Sequence, residues 1–188
     1  TTDLSRLLFK PVINYLRKWD KISSQRPDKI LAISTEVKKR IKDYYNLDSE
    51  IIFPPVDLKT NIQTKNDELS VKDYFLVVSR LVYYKRVDIV MEAFKKNKPP
   101  LKIVGTGREE NNLKKMATSN IEFLENLTDD ELSFYCKNCR ALIFPGNEDF
   151  GLVMAEAQSF GKPVIAFRAG GALDIVKEGL TGEFFESQ

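Results

Sequence analysis

The chain has 188 residues, 43% of them hydrophobic, with 29 basic and 27 acidic side chains and a formal net charge of +2. This size and composition suit one full domain plus a piece of another, or one elaborated domain, and they exclude global disorder. So balanced a charge excludes a nucleic-acid footprint, and any anion site must be local. No apolar run is long enough to cross a bilayer, and the opening TTDLSR is no signal peptide; it also lacks an initiator Met, as a fragment or processed chain would. Histidine is absent, which removes the commonest general acid or base near neutral pH. The two cysteines, Cys136 and Cys139, form a CxxC with no second pair and no histidine, so a four-ligand zinc site cannot be assembled within the chain. They read as two small residues at a helix-to-strand junction, in a cytoplasmic setting.

In chain order, helical spacing of Leu4, Leu7, Leu8, Val12, Leu16 and Trp19 predicts a helix from Asp3 to Ser24, with a break expected near Pro11. Lys29–Ser34 reads as a short strand, and Ser34 or Thr35 caps a helix over Glu36–Tyr45. Glu50–Phe53 reads as a strand stopped by Pro54 and Pro55, and the polar stretch Lys59–Lys72 as a linker. A regular alternation follows. Strands are expected at Tyr74–Ser79, Leu101–Gly105, Ile121–Leu124, Ala141–Phe144 and Val164–Phe167, with a last short one at Glu183–Glu186. Helices are expected at Val87–Lys96, Glu109–Ala117, Asp129–Lys137, Leu152–Phe160 and Leu173–Glu178. Continuous apolar strands alternating with helices predict an α/β fold, a doubly wound, Rossmann-like parallel sheet. Ligands of such sheets bind outside the carboxyl ends of the strands, which directs attention to the loops there.

In the first of these loops, Arg80 leaves the strand end after Ser79 and Lys85 stands where the next helix is expected to begin. Two cations beside a helix N-terminus suit a diphosphate, with a solvated basic loop as the alternative. Gly105 and Gly107 in the second loop allow close approach of backbone to a ligand, or simply a tight turn. The most informative segment is NEDFGLVMAE, Asn147 to Glu156. Glu148 lies in the loop and Gly151 starts a helix in which Glu156 is the only ionisable residue between Asp149 and Lys162. A carboxylate in so apolar a helix needs donors, either the vicinal hydroxyls of a sugar or an internal ion pair. The two glutamates would repel phosphate. A division of labour therefore places Arg80 and Lys85 on a diphosphate at one rim and Glu148 and Glu156 on neutral hydroxyls at the other, as a nucleotide sugar would require. The loop Arg168–Ala172 reads as a source of backbone donors or as a flexible turn.

Ser79-Arg80-Leu81 followed by Lys85, and Glu148 and Glu156 with seven residues between them, resemble the phosphate-binding pair and the E-x7-E motif of family 4 glycosyltransferases of the GT-B type. The stretch EDFGLVMAEAQSFGKPVIAFRAGG is especially similar, and the resemblance runs from about Lys29 to Phe185. WDKISSQRPDKILAIS and FPPVD look like a subgroup containing WbaZ-like mannosyltransferases of surface-polysaccharide synthesis. The resemblance implies the C-terminal, nucleotide-sugar-binding half of a two-domain enzyme. Residues 1–57 would then be the end of the N-terminal acceptor domain and 58–188 the donor domain, without the family's closing helices. It further implies a retaining transferase that needs no metal or other cofactor. Its expected substrates are a hexosyl donor, with GDP-mannose as the expected choice, and a glycan or lipid-linked acceptor.

On that pattern Arg80, Lys85 and Glu148 carry catalysis. Ser79, Gly105, Gly107, Phe150, Gly151, Leu152 and Glu156 bind the donor, Glu156 through the ribose, and Asn126, Leu127 and Thr128 lie near the base. Partners would be the nucleotide sugar, the acceptor and the missing N-terminal domain; the first helix, with Lys10, Arg17, Lys18 and Trp19, reads as packed on its own domain, with peripheral contact at the inner membrane surface as the alternative. Arg86 stands where the family usually has glycine, which adds a third cation. A nucleotide-sugar epimerase or phosphorylase of the same architecture, and a non-catalytic binding module, are the alternatives.

Overall fold

The computed structural model describes residues 3–56, 73–97 and 99–186; the expected linker Lys59–Lys72 and the expected boundary at residues 57 and 58 lie outside the described residues. By its contacts the chain divides into two compact units, Thr1–Phe53 and Pro54–Gln188.

In the first unit, helix α1 (Asp3–Ser23) runs unbroken through Pro11, against the expected break. Proline costs a helix one amide bond and crowds the preceding turn. Here it stands at an exposed position, where water can serve the carbonyl it leaves unpaired. A small βαβ unit follows. Strands β1 (Leu31–Ala32) and β2 (Glu50–Ile51) pair in parallel around α2 (Thr35–Tyr45). The buried Ser34 caps α2 by accepting a hydrogen bond from the Val37 amide at 3.1 Å. Val12, Leu16 and Trp19 are exposed on α1. Among the described residues no helix is long and apolar enough to cross a membrane.

The second unit is a three-layer α/β domain. Its strands are β3 (Phe75–Val78), β4 (Leu101–Val104), β5 (Ile121–Leu124), β6 (Ala141–Phe144), β7 (Val164–Phe167) and β8 (Gly182–Phe185). They form one six-stranded parallel sheet in the order β5-β4-β3-β6-β7-β8. Alternate side chains feed two cores. Leu76, Leu142, Phe144 and Val164 pack with Cys136, Met154, Ala157 and Ala172 under α5 (Asp129–Asn138), α6 (Leu152–Ser159) and α7 (Ala172–Ile175). Val77, Ile103 and Ile143 pack with Val87, Val90, Met91 and Leu113 under α3 (Val87–Asn97) and α4 (Glu110–Met116). Coverage of both faces is why the strands are apolar throughout. Helix α7 stops at Ile175, short of the expected Glu178, because Glu178 turns into a bridge with Gly182.

The loops at the carboxyl ends are locked to one another by backbone. Gly105 holds φ +138°, and a Cβ built there would lie 1.9 Å from the Ser79 carbonyl oxygen; one on Gly107 would lie 2.2 Å from that of Leu81. The space a side chain would take is therefore filled by the neighbouring loop. Of the two readings of these glycines, the geometry supports the tight turn: they dock the 105–107 loop against the 79–81 loop. Leu81 completes the joint, its amide donating to Thr106 and its carbonyl accepting from Glu109, each at 2.9 Å. On the other side of the sheet's centre, a Cβ on Gly171 would strike the Phe150 backbone at 2.3 Å, and the Gly171 amide donates to the Glu148 carbonyl at 2.8 Å.

Cys136 and Cys139 are free thiols in the core, not a disulfide. Burial pushes Cys136 up to about 12 and Cys139 up to about 11. Ellman's reagent at pH 8 is therefore expected to leave both unmodified in the native chain and to titrate both in denaturant. Gly105→Ala forces a side chain into occupied space at a left-handed φ, and urea unfolding should show a loss of about 2–4 kcal/mol.

Candidate functional site

Strand order reverses between β3 and β6, since the chain winds outward from β3 through β4 and β5 and then returns to start β6 on its other side. A sheet of this kind opens its ligand crevice at that reversal, outside the carboxyl ends. The loops following β3 and β6 carry Arg80 and Lys85 on one side and Glu148 on the other.

Lys85 lies two residues before α3, whose start at Val87 is the expected one. It ends a 3-10 turn, Tyr83–Lys85, and Arg86 follows in the left-handed region (φ 52°) before α3 begins at Val87. The position keeps the backbone conformation that glycine adopts without strain, now occupied by a side chain. Arg86 is the extra cation the sequence offers, and its Nε lies 3.4 Å from Asp88 Oδ1. Because the 3-10 turn directs Lys85 inward, its side chain is only 9% exposed, and Gly146 supplies the room, with a Cβ there falling 3.3 Å from Lys85 Cδ.

The Lys85 ammonium donates directly to Glu148 Oε1, whose side chain is 31% exposed. Cation and carboxylate thus share one site, and the expected division into a basic rim and an acidic rim does not hold. The reason is topological. The loops that bear them are 63 residues apart in sequence but adjacent where the strand order reverses. Burial of the ammonium requires a counter-charge, and Glu148 supplies it. The Glu148 loop is held from behind by Gly171, whose amide donates to the Glu148 backbone carbonyl.

Arg80 is exposed, and its guanidinium donates to the Tyr84 hydroxyl at 3.1 Å. The Lys85 ammonium lies 5.2 Å from the centroid of the same ring. Tyr84 and Gly146 were not singled out from sequence. The usable signal for Tyr84 was its place between two named cations, and for Gly146 its place immediately after a strand and a proline.

Ser79 closes β3, its amide donating to the Val104 carbonyl at 3.0 Å. Gly151 (φ 89°) ends the loop and leads into α6 without a side-chain cap, so the amides of Leu152 and Val153 have no acceptor among the described residues. That leaves the positive end of α6 open. Phe150 is buried beneath it. Glu156 sits on the second turn of α6, half-buried, and among the described residues its carboxylate has no ion pair or hydrogen bond. It is close enough to Cys136 to add to the rise of that thiol. Asn126 (φ 55°) and Leu127 lead into α5, and Thr128 spends its hydroxyl and amide on a capping box with Glu131. The structure thus joins Arg80, Tyr84, Lys85 and Glu148 by contact. Glu156 and residues 126–128 lie on neighbouring carboxyl-end segments without contacting that cluster among the described residues.

The fold that carries this site, and much of the sequence, are similar to those of known proteins. The chain is 30% identical over 171 residues to an uncharacterised glycosyltransferase of Methanocaldococcus jannaschii, covering 88% of this chain and 47% of that one. It is 30% identical over 167 residues to the O-antigen chain mannosyltransferase RfbU of Salmonella typhimurium, covering 80% of this chain and 45% of the relative. The chain therefore spans about half the length of these curated relatives. Among solved structures, a glycosyltransferase from Rickettsia africae superposes with a TM-score of 0.75 at 22% identity, over 92% of this chain and 53% of that one. The profile of the family described as Glycosyl transferases group 1 matches residues 59–188, which include the whole switch-point site, and the chain belongs to that family.

Proposed function

We propose that this chain forms the donor-binding half of a retaining hexosyltransferase, and that the complete enzyme carries mannose from GDP-mannose to a glycan or lipid-linked acceptor. The observation that carries the reading is the Lys85–Glu148 contact across the switch point. It sets a buried cation suited to phosphate against a carboxylate suited to hydroxyls, and a nucleotide sugar changes from phosphate to hexose over that distance. The mannose choice is supported by relatives named O-antigen chain mannosyltransferases. Nucleotide-sugar binding is supported by similar structures solved with UDP and with UDP and glucose.

In this reading, negative charge accumulates on the diphosphate as the glycosidic bond breaks. Lys85, Arg80 and the open α6 terminus are fixed in place beforehand, so no reorganisation is needed to hold it. Glu148 neutralises Lys85 in the empty site and accepts a sugar hydroxyl in the filled one. Glu156 faces the ribose hydroxyls, and Asn126, Leu127 and Thr128 lie towards the base. No metal enters the scheme, because the side-chain cations supply the counter-charge. The rest of the complete enzyme provides the acceptor site, so this chain alone binds nucleotide weakly and transfers no sugar.

A thermal-shift panel of GDP, UDP and ADP sugars tests the reading: GDP-mannose should raise the melting midpoint most, and a preference for UDP sugars would remove the mannose assignment. Incubation with donor alone should leave the sugar unchanged, whereas conversion to an epimer would mean a different enzyme. Lys85→Ala should weaken GDP binding by roughly 10- to 100-fold in calorimetric titration, as expected for loss of a charge-assisted contact. Glu148→Gln should behave in the opposite way towards the two ligands, binding GDP as tightly as the parent or tighter while binding GDP-mannose several-fold more weakly. Equal weakening of both would contradict the placement of Glu148 on the sugar.

A further inference from the structure

Tyr84 touches Arg80 and Lys85, two of the three cations of the first loop. Its hydroxyl accepts from Arg80 at 3.1 Å, and its ring lies 5.2 Å below the Lys85 ammonium. It is 55% exposed, so it contributes little to the core. The backbone around it is tight: the Val82 amide donates to the Arg80 carbonyl at 2.9 Å and the Lys85 amide to the Val82 carbonyl at 3.0 Å. That turn brings residue 84 back over residue 80. An exposed arginine on a strand end otherwise samples many rotamers, and fixing it has an entropic cost each time a ligand binds. A hydrogen bond in the empty site meets part of that cost in advance. The ring also offers the Lys85 ammonium its negative face, as a second partner beside Glu148.

We propose that Tyr84 is a positioning residue for the diphosphate grip, holding Arg80 through its hydroxyl and Lys85 through its ring so that both cations are set before the ligand arrives. The proposal rests on the reading of Arg80 and Lys85 as diphosphate ligands. It extends that reading to a residue that reaches the ligand only through them. It also separates the two halves of the side chain: phenylalanine retains the ring and loses the hold on Arg80, while leucine loses both.

Calorimetric titration with GDP and with UDP tests it on the chain and on Tyr84→Phe, Tyr84→Leu, Arg80→Ala and the Arg80→Ala/Tyr84→Phe double variant, with melting midpoints recorded for each. Tyr84→Phe should weaken binding roughly 3- to 10-fold and Tyr84→Leu further, with phenylalanine recovering part of the leucine loss, at unchanged melting midpoints. With Arg80 already removed, Tyr84→Phe should cost less than about twofold, since the contact it breaks no longer exists. Full affinity in Tyr84→Phe, or the same loss with and without Arg80, would overturn the positioning role while leaving the diphosphate site standing. If the unsubstituted chain bound neither nucleotide, or if Arg80→Ala and Lys85→Ala bound as well as the parent, the diphosphate reading would fall and the role of Tyr84 with it.

Discussion

The site is organised around one charge pair buried between two loops. Lys85 is brought inward by a 3-10 turn and Glu148 meets it from the far side of the strand-order reversal. Desolvating an ammonium is expensive, and a single carboxylate at hydrogen-bond distance makes it tolerable. Several local features follow from that requirement. Residue 146 is glycine because the lysine stem passes there, residue 86 is left-handed because the turn must reverse before α3, and the Glu148 loop is tied by its carbonyl to Gly171. Because Glu148 balances Lys85 while the site is empty, the net positive charge there comes from Arg80 and the open end of α6.

The frame that sets these parts is ordinary in its rules. Parallel strands with helices on both faces put every carboxyl-end loop on one edge, and the reversal of order between β3 and β6 separates the flanking connections enough to open a crevice. Family membership and the similarity to solved glycosyltransferases fit this frame. The donor, the acceptor and retention of configuration are properties of the proposed function and depend on side chains beyond the frame itself.

The strands were legible because each is a short, unbroken apolar run between turn residues. Expected and observed limits agree at both ends for β5, β6 and β7 and differ by no more than one residue at either end of β3, β4 and β8. Helix α5 starts where expected and ends one residue later, and the structure adds a capping box closed by Thr128 and Glu131. What could not be read was anything set by distance in space. The Lys85–Glu148 contact joins positions 63 residues apart, and nothing local marks it, so the two charges were assigned to separate rims. Gly105 and Gly107 were identified correctly as places where something comes close, but sequence does not say whether that is a ligand or the protein's own backbone. Pro11 misled in the opposite way, because an exposed helix tolerates a proline that a packed one would not. Glu156 stood out as a lone carboxylate on an apolar helix, and it has no internal ion pair among the described residues.

The backbone joints between neighbouring loops bear on how such a rim can move. Residues 79–81 and 105–107 interlock through glycine, and residues 148–150 are fastened in the same way to 170–171. A flap that lifted alone would have to break those amide bonds and open gaps where no side chain exists to fill them. Rearrangement on ligand entry is therefore restricted to side-chain rotation, as at Arg80, or to displacement of each interlocked pair of loops as one body. A hinge serving this edge has to lie outside each pair.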